Sequence, residues 1–321
     1  MTEPVRIALV GAGAIAPHRA RPRGQRREKL ARPQREHHRR RGSDLPQSRK
    51  RKTRTRRKFV KFVLTENAVL FGEAGRYALD DPFKPHLAEL LTPAGHNLTL
   101  VSPADHRHHK GVMYALRCAD LNFWEEDPGS GSCGVREIIS TEVIGDGVRQ
   151  QLLWRGHGGG LETYRETRTI TCRLTPDGCG HQWTWQTRRR SLRPHRLIQS
   201  PWSTALADGR RINYHGLGFR LPWVWSMLHP APGGFLADGK ARAPEEACGS
   251  ECREVSWCGP IDGHWNVPHA ALTAGQERRF TWFVLRTPFP YLAIGPSNAA
   301  GFDVAGGVDF EESYTFTAAD R

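Results

Sequence analysis

The sequence predicts an all-β protein, built on one large antiparallel β-sandwich. Three observations lead there. Short alternating runs recur after Phe59, among them "KFVLTENAVLF", "VREIISTEVI", "TYRETRTITCRL", "HQWTWQT" and "RRFTWFVL", and period-two alternation marks half-buried strands. Asp-Gly pairs at Asp146, Asp177, Asp208, Asp238 and Asp262 fall between such runs or in loops. Asp-Gly suits the positive φ values of tight hairpins, and "VIGDGV" and "RLTPDGCG" are the clearest turn signals. No stretch carries a sustained helical period with caps. The turn spacing is uneven, so the strands do not form internal repeats.

Three unequal regions precede and make up this domain. Residues 1–18 open with "VRIALVGAGAIAPHR", an apolar run leading into Gly11-x-Gly13-x-x-Ala16. Such a turn lets a pyrophosphate approach the backbone at a helix N-terminus. This stretch resembles the start of the Gfo/Idh/MocA oxidoreductases. The helix, second strand and acidic residue that a working unit needs do not follow Pro17, so no cofactor is expected.

Residues 19–58 hold 15 Arg and 4 Lys against 3 acids. The whole chain has a formal charge of +14, from 47 basic and 33 acidic residues. Outside this segment 28 bases face 30 acids, so the folded domain is not basic. The segment reads as a basic arm for anionic surfaces, as a disordered tail with little to bury, or as a shifted reading frame or fusion junction. The abrupt change from an oxidoreductase start to Arg/Pro-rich text favours the last. No nucleic-acid partner is expected for the folded domain.

Residues 59–321 carry the sandwich. No window has 18 consecutive apolar residues, which excludes a spanning helix, and no secretory signal is expected. Seven Cys without regular spacing fit a reducing, cytoplasmic setting. Cys248, Cys252 and Cys258, with His264 or His269, lack the paired knuckles of structural zinc sites, so free thiols are expected and no metal. His157 lies in a Gly-rich turn with no helix after it. "TRRRSLRPHR", Thr187–Arg196, reads as a solvated charged loop or a second local sequence error. Glu311 and Glu312 read as cover for a strand edge, with a catalytic base as the alternative.

The chemistry concentrates in "ADHRHHKGVMYALRCADLNFWEE", Ala104–Glu126. On an extended backbone His106 and His108 share one face and His109 points to the other. Two His and a carboxylate suit a divalent metal or acid–base work near neutral pH; a capped polar loop is the plain alternative. Lys110 can hold a carboxylate or a hydroxyl. A second group, "NYHGLGFRLPW", offers Tyr214, His215 and Arg220, with Arg as a carboxylate fork. Gly216 and Gly218 there permit a bulge or the close approach of a ligand.

The stretches Asp81–Glu126, Ser200–Trp223 and the C-terminal "TPFPYLAIGPSNAAGFDVAGGVDFEESYTFTAADR" resemble the soluble PmoA-like domain family, from about Phe59 onward. The Asp-His-x-His-His-Lys-Gly and Phe-Trp-x-Glu blocks carry the resemblance most strongly. It implies a galactose-mutarotase-like sandwich that handles carbohydrate. Its "methane oxygenase" label requires spanning helices that this chain lacks. On this reading His106, His108, His109 and Glu126 are the acid–base candidates. Asp105, Lys110, Trp124, Tyr214, His215 and Arg220 are the substrate-binding candidates, with Trp124 as an aromatic platform. The expected function is an epimerase, lyase or hydrolase acting on a small carbohydrate. The alternatives are a non-catalytic sugar-binding module and a remnant of an oxidoreductase fusion. The oligomeric state is not legible.

Overall fold

The structure is a computed structural model. It describes residues 60–199, 204–205, 211–212, 215–227, 234–261, 269–275, 280–296 and 301–320. The dinucleotide-type turn and the Arg-rich segment lie outside the described residues, as do Asp208, Asp262, His264 and Tyr214.

Two antiparallel sheets face each other. The first contains, in spatial order, the strands Phe62–Leu64, Ala68–Phe71, Gly75–Ala78, His86–Leu90, Val112–Ala115, Gly216–Arg220, Tyr291–Pro296 and Phe280–Leu285. The second runs Lys240–Ala241, Phe235–Ala237, Glu254–Cys258, His269–Gly275, Asp309–Ala319, Gly180–Ser191, Glu162–Leu174, Gly147–Gly156 and Gly134–Ile144. The described helices are single turns, Val224–Met227 and Pro244–Ala247, with a 3-10 turn at Pro128–Ser130. The all-β antiparallel sandwich is therefore the fold, and no described helix is long and apolar enough to cross a membrane.

Alternation places the core. From Glu162–Leu174 the side chains of Tyr164, Glu166, Arg168, Ile170 and Cys172 point inward; from Gly180–Ser191 those of Trp183, Trp185, Thr187 and Arg189 do. They meet the first sheet at Phe71–Trp183 (ring centroids 4.8 Å) and Tyr77–Trp185 (6.1 Å), and Phe219 meets Phe316 at 5.1 Å. Burial of such large rings is the main drive for closing the sandwich.

The Asp-Gly pairs behave unequally. Asp238 (φ 48°) and Gly239 (φ 70°) both take positive φ between paired strands, and Gly178 does so at φ 77°. At "VIGDGV" the register pairs Ile144 with Gly147, so the turn residues are Gly145 and Asp146, and neither has a positive φ. Gly147 serves a different need: a Cβ there would lie 1.9 Å from the Ile170 carbonyl oxygen of the next strand.

From Thr187 to Ser191 the Arg-rich stretch is no solvated loop. It continues the strand Gly180–Ser191 in full register with Asp309–Ala319. Arg188 and Arg190 face outward and pair with Asp309, whereas Arg189 is buried against the Glu312 carboxylate. Glu312, expected at an edge, also accepts hydrogen bonds from the buried hydroxyls of Tyr114 (3.1 Å) and Tyr314 (2.9 Å). The reason is register: the odd positions of Gly180–Ser191 and the even positions of Asp309–Ala319 face the core, whatever residues they carry.

The first sheet is covered on its outer face as well. Met113, Ala115, Trp124, Phe283, Tyr291 and Ala293 form a separate apolar cluster there. This explains why "VMYA" at Val112–Ala115 is buried at every position, as befits a strand packed on both sides. The histidine loop sits on this outer layer.

Candidate functional site

The histidine segment is a turned loop. The Ser102 amide donates to the His109 carbonyl (2.7 Å), His106 to Pro103 (3.0 Å) and His109 to His106 (2.9 Å). The expected extended backbone, with His106 and His108 on one face, is thereby overturned. Local amide bonds curl the chain, and the three rings gather. His106 stacks on His109 at 4.7 Å, and His108 meets His109 edge-on at 4.6 Å.

The rings face different surroundings. His109 is buried, stacked on Tyr291 at 4.9 Å and edge-on to Trp124 at 5.5 Å. Burial, reinforced by the neighbouring His108 and His106, drives its proton affinity far below the ordinary histidine range. It is packing beneath the loop and does not reach the cleft. His108 is pushed down to about 3, first by burial and then by the Lys84 ammonium and His106. It lines an open cleft of about 490 Å³ with Phe83, Ser102, Arg107, Lys110, Glu125, Glu126 and Asp127. His106 turns away and bonds Asp105 Oδ2 through Nδ1 at 2.7 Å.

Glu126 is the centre of a buried charge arrangement. Its Oε2 lies 3.1 Å from Lys110 Nζ, and its Oε1 lies 3.2 Å from Lys84 Nζ, off the line of a good hydrogen bond. Lys84 also donates to the carbonyls of Trp124 (2.8 Å) and His108 (3.1 Å). One ammonium thus ties the histidine loop to the "FWEE" segment. Burial, against the pull of Glu126, lowers Lys84 to about 8. Lys110 is shared with Asp81 at 2.9 Å. Burial opposes ionisation of Asp81, but the amides of Lys84 and Phe83 and the Lys110 ammonium outweigh it and hold it below the usual carboxylate range.

Local chemistry positions a second carboxylate of the cleft, Glu125. Asn122 Oδ1 accepts from the amides of Trp124 (2.9 Å) and Glu125 (3.1 Å), and its Nδ2 donates to Glu125 Oε2 at 2.7 Å. The turn at "NFWEE" is capped by its own asparagine, which aims Glu125 at the cleft.

The sequence-predicted residues therefore divide. His108, Lys110 and Glu126 share the cleft. Asp105, His106 and Arg220 form a second group on the other side of the loop, with Arg220 Nη2 3.1 Å from Asp105 Oδ2. Trp124 is 2% exposed and cannot serve as a platform; it is the floor under His108 and His109. His215 is buried 6.1 Å from Trp124, and burial pushes it to about 3. The two glycines beside it are occupied by the protein itself. A Cβ on Gly218 would stand 1.8 Å from the Tyr291 hydroxyl, and one on Gly216 (φ 105°) 2.1 Å from the Ile294 carbonyl. The close approach is a neighbouring strand and ring rather than a ligand.

Sequence reasoning missed Asp81, Phe83, Lys84, Glu125 and Asp127. The available signal was "DPFKPHLAEL", where a lone lysine stands between prolines at the entry to a buried strand. Phe83 is the half-buried aromatic ring of the cleft, stacked with His157 at 6.3 Å. Among the described residues no three His, Cys, Asp or Glu converge to hold a metal ion, and Cys248, Cys252 and Cys258 form no disulfide.

Residues 69–321, which include both groups, match DUF6807, a family of unknown function. The chain belongs to that family. No curated protein matches this DUF6807 chain. Among solved structures it is similar to a galactose mutarotase related enzyme from Lactobacillus acidophilus, at 8% identity and a TM-score of 0.28, covering 80% of this chain and 96% of that one.

Proposed function

We propose that the cleft beneath His108 binds a carbohydrate. The observation that carries this reading is the lining: three carboxylate side chains, two cations and one half-buried aromatic ring around a single opening. Carboxylates accept from sugar hydroxyls, Lys110 and Arg107 donate to sugar oxygens, and Phe83 offers an apolar face to ring C–H groups. The lining suits a polyhydroxylated small molecule better than an apolar one.

Two versions of this function differ in chemistry. In the catalytic version Glu126 and His108 move a proton on the bound sugar, as an epimerase, lyase or hydrolase requires. In the binding version they only hold hydroxyls. The low basicity of His108 and the engagement of both Glu126 oxygens by lysines favour binding.

Calorimetric titration with aldoses and 3-keto-sugars tests the shared reading. Binding is expected, with Phe83→Ala weakening it about fivefold or more. No heat with any sugar, or binding indifferent to Phe83→Ala, removes it. Incubation of the bound sugar in D₂O separates the versions. Deuterium at a sugar carbon, or a cleavage product, lost in His108→Ala and Glu126→Gln, selects catalysis; the absence of both selects binding.

A further inference from the structure

The Asp105–Arg220 pair is incomplete in an informative way. Arg220 is fully buried, 0% exposed, and projects from the outer face of the first sheet. Its guanidinium lies against two aromatic rings, 4.6 Å from the Phe289 centroid and 5.0 Å from that of Trp223. One nitrogen, Nη2, serves both oxygens of Asp105, at 3.1 and 3.3 Å. The Nε and Nη1 donors have no hydrogen-bond partner.

Buried guanidinium donors are costly to leave unmade. An arginine that answers an internal carboxylate for structural reasons does so most strongly with two parallel N–H bonds. Here the fork is not used. Asp105 also has a second partner, His106 Nδ1 at 2.7 Å, and that partner can keep it when Arg220 is taken by something else. The cover over the guanidinium is thin: Asp105 and His106 are partly exposed, and Trp223 is 40% exposed.

We infer that Arg220 is the receptor for the carboxylate of an acidic small molecule, and that Asp105 is its resident stand-in. The ligand carboxylate takes the two-donor fork along an edge that includes Nε or Nη1, beside the rings of Phe289 and Trp223. Asp105 leaves the guanidinium and stays with His106. Asp105 belongs to the loop that also carries His108 and Lys110, so occupation of Arg220 bears on the cleft. The site stands on Arg220 and its neighbours and does not depend on the cleft binding sugar.

The test uses the full chain and three probes: acetate, glucuronate and glucose. The readout is the Arg220 Nε–Hε NMR resonance, assigned by its absence in Arg220→Lys, a substitution that keeps the charge and loses the fork. Acetate and glucuronate are expected to shift this resonance and glucose to leave it in place. Asp105→Asn removes the competing carboxylate at the surface and is expected to tighten both acids about tenfold. Thermal melting of each variant identifies loss of fold. The inference is overturned by acids that leave the resonance unmoved, by glucose moving it as far as glucuronate, or by unchanged acid affinity in folded Asp105→Asn. Glucuronate failing where acetate succeeds keeps the carboxylate receptor and limits the carrier to smaller acids. Glucose leaving the resonance in place supports the inference, and sugar binding in the cleft is read separately by the calorimetric titration.

Discussion

Lys84 Nζ and Glu126 Oε1 form an ion pair of 3.2 Å under the cleft, with both side chains almost wholly out of water. The same ammonium holds the carbonyls of His108 and Trp124. Lys84→Met leaves both carbonyls without their donor and Glu126 Oε1 without its counter-charge. Removing one partner of a buried pair costs about 3–5 kcal/mol. Urea denaturation is expected to show a loss in that range, and a loss under about 1 kcal/mol would contradict the structural role given to Lys84.

The buried histidines make the fold acid-labile. Burial holds His86 at about 4 and His108 and His215 at about 3, and His109 is depressed further. A histidine depressed in the folded state stabilises fully above its unfolded value of about 6.5, and the contribution drains away as pH falls toward the folded value. Each such group adds a slope of about 1.4 kcal/mol per pH unit within that window. Urea midpoints are expected to fall steeply from pH 6.5 to 4.5, and His86→Gln should flatten the profile. A pH-independent midpoint across that range counts against the neutral buried rings.

Gly218 makes room for Tyr291. A Cβ at 1.8 Å from the Tyr291 hydroxyl cannot be absorbed without moving a buried ring that stacks on His109. Gly218→Ala is expected to destabilise by about 1–3 kcal/mol, as overpacking does. Near-ultraviolet circular dichroism should change as Tyr291 shifts. Wild-type stability in this variant would mean that the ring has somewhere else to go.

Arg189 and Glu312 can be separated by a double-mutant cycle. Arg189→Met alone leaves Glu312 charged in the core beside Tyr114 and Tyr314, at a cost of about 3–5 kcal/mol. Adding Glu312→Gln removes that charge and keeps one acceptor oxygen, while its NH2 donates to the hydroxyl oxygen of the other tyrosine. The double variant is expected to be more stable than Arg189→Met. Additive losses in the cycle would deny the coupling.

The all-β architecture was legible because it rests on local text. Period-two alternation and turn residues act within a few positions of each other, and both survive in the strands from Gly134 to Ser191. The error at Thr187–Arg196 came from reading three arginines as surface. Only the partner strand shows that Arg189 meets Glu312, more than a hundred residues away in sequence. Trp124 failed as a platform for a related reason: its ring packs on Tyr291 and its carbonyl is held by Lys84, neither of which is near in sequence.

By itself the sequence determined the class of fold, the position of the histidine block and its neighbourhood with "FWEE". These follow from spacing, which the chain carries in one dimension. The tertiary structure decided which groups share a cleft. It curled the loop so that His108 faces Lys110 and Glu126 while His106 follows Asp105 to Arg220. It also placed Lys84 under both segments. Desolvation and the pairing of charges depend on what surrounds a residue in three dimensions, and those surroundings are assembled from strands that the sequence keeps far apart.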